Sequence, residues 1–375
     1  MMLSPRLTYS ILGSVFLLTC SLAYSEMFSS AGQTANNLPH DTEPLVAQNQ
    51  MVNASSSAQM EYSHERVMFI GDISLARQVE RLNKQYGSGY SFEQAAFLRQ
   101  PKQYVFANFE GAIPEIHQPT PNFTFRFSVP LWLANSLKSS GVTHLSLANN
   151  HSFDFGEAGY NETNKQLASL GLLTFGHPTK ISTSSVSVVE FAGVRLSVIA
   201  LHTLFLEPDR TALQDIITYA EAQSDIQAAY IHWGEEYNKV PSKKQRDLAQ
   251  FLTGAGVDFI IGHHPHVVQA IEVINDAPVL YSLGNFIFDQ YFSTAVQEGL
   301  VATLLHDEGQ FYLDLLPITS VGTPAQPRIM SAEEGLSLLS ELSELSSEAI
   351  RSEITAGRIK LKSLASLPKT AIMTQ

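Results

Sequence analysis

The stretch IIGHHPHVVQ, Ile260 to Gln269, decides how the rest of the chain is read. An apolar run meets a glycine, and three histidines follow within four positions: His263, His264 and His266. A short apolar run bounded in this way reads as a buried strand coming to its end. Imidazoles crowded at that point make physical sense if the turn aims His264 and His266 to the same side of an irregular loop. In α/β sheets, ligands gather outside the carboxyl ends of the strands.

The arrangement recurs upstream. MFIGD ends in Asp72, VFANFE in Glu110, and LSLANNH in Asn149, Asn150 and His151, while YIHWGEE carries His232. Carboxylates, an amide oxygen and imidazoles are the ligand set of Mn²⁺, Zn²⁺ or Fe, and their number suits one or two divalent ions. Taken singly, each residue has a plainer reading. Asp72 can be an N-cap or turn residue, and Asn149 and Asn150 can be turn residues. Glu110 can be a solvated strand end, and His232, beside Trp233, a hydrogen-bonded core residue. The HHPH tract can be a pH-sensitive surface cluster. Those readings must hold independently at five strand ends, so the joint pattern favours one shared site.

Between these ends, strand-like runs alternate with helix-like segments. VMFI precedes a helical pattern, and PLWLANSLKSSG has a helix start at Pro130 and a stop at Gly141. A helix is expected from Glu157 to Leu170, and VSVVEFAGVRLSVIAL reads as a hairpin turning near Ala192-Gly193. The last third is mostly strands without long helices, which points to α/β architecture with packed sheets and helices outside. The domain is expected over 64–325, followed by a Ser-rich, peripheral helical extension over 326–375.

The 375 residues are 44% apolar and 16% charged, enough to build a sizeable core. A net charge of −13 argues against a sequence-independent nucleic-acid binder, which needs a basic face. Arg6 precedes the apolar run Ile11–Ala23, and small residues at Ala23 and Ser25 suit cleavage after Ser25. The run is short beside the roughly 20 residues of a spanning helix. Residues 1–25 therefore read as a signal peptide, with a retained or lipidated anchor as the alternative, and 26–63 as a flexible linker. The expected location is periplasmic or cell-surface. Cys20 is the only cysteine, so a chain cleaved after Ser25 must build any metal site from N and O ligands.

The segments GDISLAR, NFEG, LANNHSFDFGEAG, HWGEEY, GHHPHVVQ and YSLGNFIFDQ, from Gly71 to Gln290, resemble the CapA (PgsA) family of bacterial capsule-biosynthesis proteins. That family is associated with poly-γ-glutamate and belongs to the calcineurin-like metallophosphoesterase superfamily. The resemblance implies a four-layer α/β/β/α sandwich. It implies Asp72, Glu110, Asn150, His232, His264 and His266 as metal ligands, and His151 as a non-ligand proton donor that Asp154 could orient. The superfamily's opening Asp-x-His has Ser74 in place of histidine, and Glu110 replaces the usual bridging aspartate. His263 is then an extra histidine, suited equally to ligation and to a supporting contact. Arg77 could grip phosphate or carboxylate, or pair with Glu110 or another site carboxylate. Glu235 and Glu236 are candidates for supporting contacts or a general base, and Asn285 either shapes the pocket or is a turn residue.

The function that the resemblance and these residues together imply is an exported, metal-dependent hydrolase, the role in capsule production resting on the resemblance. Its substrate would be a phosphoester or the amide of an anionic polymer, and membrane-bound capsule synthesis proteins are candidate partners. The alternatives are a non-catalytic, tethered polymer-binding or export subunit, and a phosphodiesterase or nucleotidase unrelated to capsule. The chain has no G-x-x-x-x-G-K-[ST] loop, so activation chemistry for synthesis must come from another protein.

Overall fold

The computed structural model describes residues 65–121, 125–205, 207–362 and 364. The expectations for the signal segment and the linker fall on residues outside these. Among the described residues, no helix is long and apolar enough to cross a membrane.

Strands β1 (Arg66–Ile73), β2 (Gln103–Phe109), β3 (His144–Ser146) and β4 (Leu173–Phe175) are parallel neighbours in a first sheet. A second sheet follows, from β5 (Val186–Phe191), β6 (Val194–His202), β7 (Ile226–His232), β8 (Phe259–His263), β9 (Ile271–Ile274) and β10 (Ala277–Leu280), in the order β5-β6-β7-β8-β10-β9. The chain then returns to the first sheet. β11 (Asn285–Ile287) and β12 (Glu298–Asp307) pair with β1, β13 (Gln310–Thr319) pairs with β12, and β14 (Arg328–Ile329) and β15 (Arg358–Lys360) pair with β13.

Strand periodicity sorts side chains between the layers. Along β1, Val67 and Phe69 enter a core cluster shared with Tyr230 and Phe259 of the second sheet. Met68 and Ile70 point the other way, into a cluster with Val79, Leu133, Leu137 and Leu167. Those four belong to helices α1 (Arg77–Tyr86), α2 (Leu131–Ser139) and α3 (Gly156–Ser169). On the outer face of the second sheet, Ile199, Ala229 and Ile260 pack with Leu213, Ile217, Leu248 and Leu252. These come from α4 (Arg210–Glu221) and α5 (Lys243–Gly254). The result is the four-layer α/β/β/α sandwich. Local chemistry agrees with it: Ser242 and Gln245 form a capping box at the start of α5. The expected hairpin turns at Ala192 and Gly193, with φ of 50° and 76°.

The C-terminal segment is helical over α6 (Ala332–Leu345) and α7 (Arg351–Thr355), but it is not peripheral. Leu338, Leu339, Leu342 and Ile354 join the inter-sheet cluster, and β14 and β15 extend the first sheet. A helix whose leucines recur at i, i+1 and i+4 has an apolar stripe to bury, and this one buries it in the domain itself.

Two rows of residues in register finish the frame. In the first sheet Asp72 stands between Asn285 of β11 and Asn108 of β2. In the second, His202, His232 and His263 stand opposite one another across β6, β7 and β8.

Candidate metal centre

At the end of β8 the chain passes Gly262, where a Cβ would lie 2.0 Å from the Tyr281 carbonyl oxygen and 2.5 Å from Trp233 Nε1. Only glycine lets the neighbouring strand and the tryptophan come this close. The backbone then takes φ of 94° at His264 and 58° at His266, conformations that cost a side-chain-bearing residue about 1–3 kcal/mol each. The Asp72 carboxylate helps to hold the turn, since its Oδ2 accepts from the His264 backbone N–H at 3.1 Å. These strained residues deliver two imidazoles to the row of strand ends.

Asp72, Glu110 and His232 offer ligand atoms that lie within 4.8 Å of one another, and all three are buried. Asn150 Oδ1 sits 2.8 Å from His232 Nε2. Glu236, His264 and His266 form a second such group, also within 4.8 Å. Glu110 reaches toward both groups, its Oε1 lying 3.8 Å from His266 Nε2 and 3.7 Å from His151 Nε2. The six residues implied as ligands by the resemblance therefore converge, with Glu236 beside them.

The supporting contacts are specific. Asn285 Oδ1 accepts from His266 Nδ1–H at 2.9 Å, which leaves Nε2 to face Glu110. His263 is buried behind Asp72, with Nδ1 3.4 Å from Oδ1 and its ring against Tyr230. Asn149 serves the turn and has no capacity left for substrate. Its Oδ1 accepts from the backbone of His151 and Ser152 and from Ser152 Oγ, and its Nδ2 donates to Asn108 Oδ1 and the Phe109 carbonyl. Asp154 Oδ2 lies 2.9 Å from His151 Nδ1 and also accepts from the Phe127 N–H. The Phe127 ring stacks on His151 with centroids 3.8 Å apart.

Two placements sharpen the expectation. Arg77 pairs with a carboxylate, that of Asp289, and its guanidinium lies 4.4 Å from the centre of the Phe127 ring. Asp289 stands in the YSLGNFIFDQ segment, which the sequence brings close only through β11. Glu235 is exposed and its carboxylate accepts from Asn238, so the adjacent Glu236 is the one at the centre. Sequence reading missed Asn108, whose amide donates to Asp72 Oδ1 at 2.8 Å and to His232 Nδ1 at 3.1 Å. It missed Phe127 as well. Asn108 carried a signal, an amide inside an otherwise apolar strand, but Phe127 carried none.

Among the described residues neither Glu110 oxygen has a hydrogen-bond partner, although the side chain is fully buried, and His264 Nδ1 has none there either. Burial first, then Asp72 and Glu236, raise the Glu110 pKa well above the usual carboxylate range. Burial alone would lower His266, but Glu110 and Asp72 override it and lift it to about 9. Burial would raise Asp72, and His263 and His266 outweigh it, holding this carboxyl well below its usual value. Burial and the neighbouring His266 push His264 down to about 3, and burial with His264 lowers His232. Burial thus favours neutral imidazoles at His264 and His232, the form in which a ring nitrogen can bind a cation. The donor set and its unpartnered atoms fit a divalent ion.

Beside the centre, a cavity of about 240 Å³ is lined in part by His177, Lys180, His202 and Phe205. His202 connects the two regions, its ring 5.7 Å from that of His232.

Residues 66–290 match the family described as bacterial capsule synthesis protein PGA_cap. The chain belongs to this family. It is 30% identical over 275 residues to PGA biosynthesis protein CapA of Bacillus subtilis (strain 168), covering 67% of this chain and 70% of that protein. It is 30% identical over 273 residues to capsule biosynthesis protein CapA of Bacillus anthracis, covering 66% of each. Among solved structures it is similar to a hypothetical protein from Thermus thermophilus, at 17% identity and a TM-score of 0.45, over 67% of this chain and 97% of that one.

Proposed function

We propose that this capsule synthesis protein is an exported, metal-dependent hydrolase acting on an anionic surface polymer. Poly-γ-glutamate, the polymer implied by the family resemblance, is the first substrate to test. The observation that carries this reading is Glu110, fully buried among Asp72, His232, His266 and His151 with no hydrogen-bond donor on either oxygen among the described residues. An uncompensated buried carboxyl is costly, and a cation is what would make it useful.

Asp72, Glu110, Asn150, His232, His264 and His266 would hold the ion, which when bound supplies Lewis acidity and a nucleophile at neutral pH. His151 handles a proton. With Nδ1–H donated to Asp154, Nε2 faces the centre and can give a proton to, or hydrogen-bond, the reacting group. Stacking on Phe127 fixes the plane of that ring. The Asp289–Arg77 pair leaves the guanidinium against Phe127 at the edge of the same region, where an anionic group would meet it.

The test is turnover of metal-loaded protein on poly-γ-glutamate and on an aryl phosphoester. His151→Ala should lower turnover by about 10²–10⁴-fold while metal content stays the same. Ser74, which replaces an expected imidazole, favours a second reading: a non-catalytic, tethered polymer-binding subunit. Loaded wild type that cleaves neither substrate, yet binds the polymer after chelation, would establish that alternative.

A further inference from the structure

We propose that Glu236 is itself a metal ligand, forming with His264 and His266 an ion position that stands in for the imidazole missing at Ser74. The inference rests on the metal-centre reading above and assigns one of its two positions. A Glu236 carboxylate oxygen and a ring nitrogen from each histidine lie within 4.8 Å of one another. Ligand atoms around a tetrahedral ion with bonds of about 2.0–2.1 Å stand about 3.3 Å apart, so only a small closure is needed. Ser74 is buried, its hydroxyl has no hydrogen-bond partner among the described residues, and its side chain is far shorter than an imidazole.

The loop that carries Glu236 is built to stay in place. Gly234 takes φ of 87° and Tyr237 takes 66°, so the HWGEEY segment turns sharply just past β7. The Tyr237 backbone N–H donates to the Pro265 carbonyl at 2.8 Å, which pins this loop to the residue between His264 and His266. Tyr237 Oη accepts from Gln290, a second tie to the segment after β11. Glu236 thus reaches the two histidines from a fixed base.

Its exposure gives the proposal a direction. Asp72, Glu110 and His232 are buried, whereas Glu236 is exposed. The position it completes should therefore be the weaker and faster-exchanging of the two. An oxygen and two imidazoles suit Mn²⁺, Zn²⁺ or Fe²⁺.

The experiment is calorimetric titration of the full chain with Mn²⁺, together with metal analysis after gel filtration. Wild type should take up two ions of unequal affinity. Glu236→Gln should lose the weaker ion or weaken it at least tenfold, with the stronger ion and the melting temperature in chelator unchanged. Glu236→His, which restores an imidazole, should keep both. Two ions in Glu236→Gln with affinities within twofold of wild type overturn the assignment, even if turnover falls, because Glu236 would then act on protons alone. A wild-type chain that takes up no ion overturns the metal-centre reading itself, and this proposal with it.

Discussion

Consider Glu110→Met, measured once in chelator and once in excess metal. The wild-type carboxyl is fully buried and, among the described residues, no donor takes either oxygen. Leaving a buried polar group unpartnered costs about 1–3 kcal/mol. Methionine has similar length and adapts to irregular surroundings, so it should remove that cost without a large cavity. At about 2–4 °C per kcal/mol for a domain of this size, the chelated variant should melt about 2–12 °C above wild type. Metal reverses the order. At a free-ion concentration 100-fold above Kd, wild type gains about 2.7 kcal/mol. The variant has lost the carboxylate that faces both ligand groups and should gain much less. Scanning calorimetry at neutral pH, with EDTA and then with Mn²⁺, reads both melts. If Glu110→Met melts below wild type in EDTA by more than about 1 kcal/mol, protein groups hold that carboxylate and the reasoning fails.

Three further perturbations test other parts of the structure. Asn285→Leu removes the acceptor that orients His266, so metal affinity in a chelator-competition assay should fall about 10–100-fold; unchanged affinity would make Asn285 a packing residue only. His144 is stacked on Phe106 and held down to about 4, from 6.5, by burial and then by Lys138. The fold accepts its neutral form, so stability is complete above pH 6.5 and is lost as pH falls through 4, to a total of about 3 kcal/mol. His144→Leu should flatten that part of a stability–pH curve, and an equally steep curve would refute the assignment. Leu342→Ala should cost about 2–5 kcal/mol in urea denaturation, because Leu342 lies in the inter-sheet core; a negligible cost would mean that the C-terminal helix is separable.

The strand ends were legible because each sets polar chemistry abruptly against an apolar run, as at Asp72, Glu110 and His232. The alternation of Val67 and Phe69 with Met68 and Ile70 was hidden in sequence, since both faces of β1 are apolar when both are buried. Helices α2 and α3 and the hairpin at Ala192-Gly193 were readable from their own stops and turns. What local pattern could not supply was pairing at a distance. β11 lies beside β1, 212 residues separate Arg77 from Asp289, and Leu338 belongs to the same core as Phe69. Glu235 and Glu236 are adjacent in a loop with no period, so only the fold could tell which one faces the histidines.

The register rows carry a consequence for how the chain matures. Asp72 and Asn285 are paired on one sheet, and His232 and His263 on the other. Such long-range pairings are among the slowest steps of folding, because loop-closure entropy is spent before the contacts that reward it exist. No half of the molecule contains the whole ligand set, so an intermediate with one sheet formed has nothing that grips an ion tightly. Metal capture then comes last, and by mass action it draws the equilibrium toward the finished molecule. In a refolding experiment, ion uptake should lag the recovery of secondary structure and coincide with docking of the two sheets.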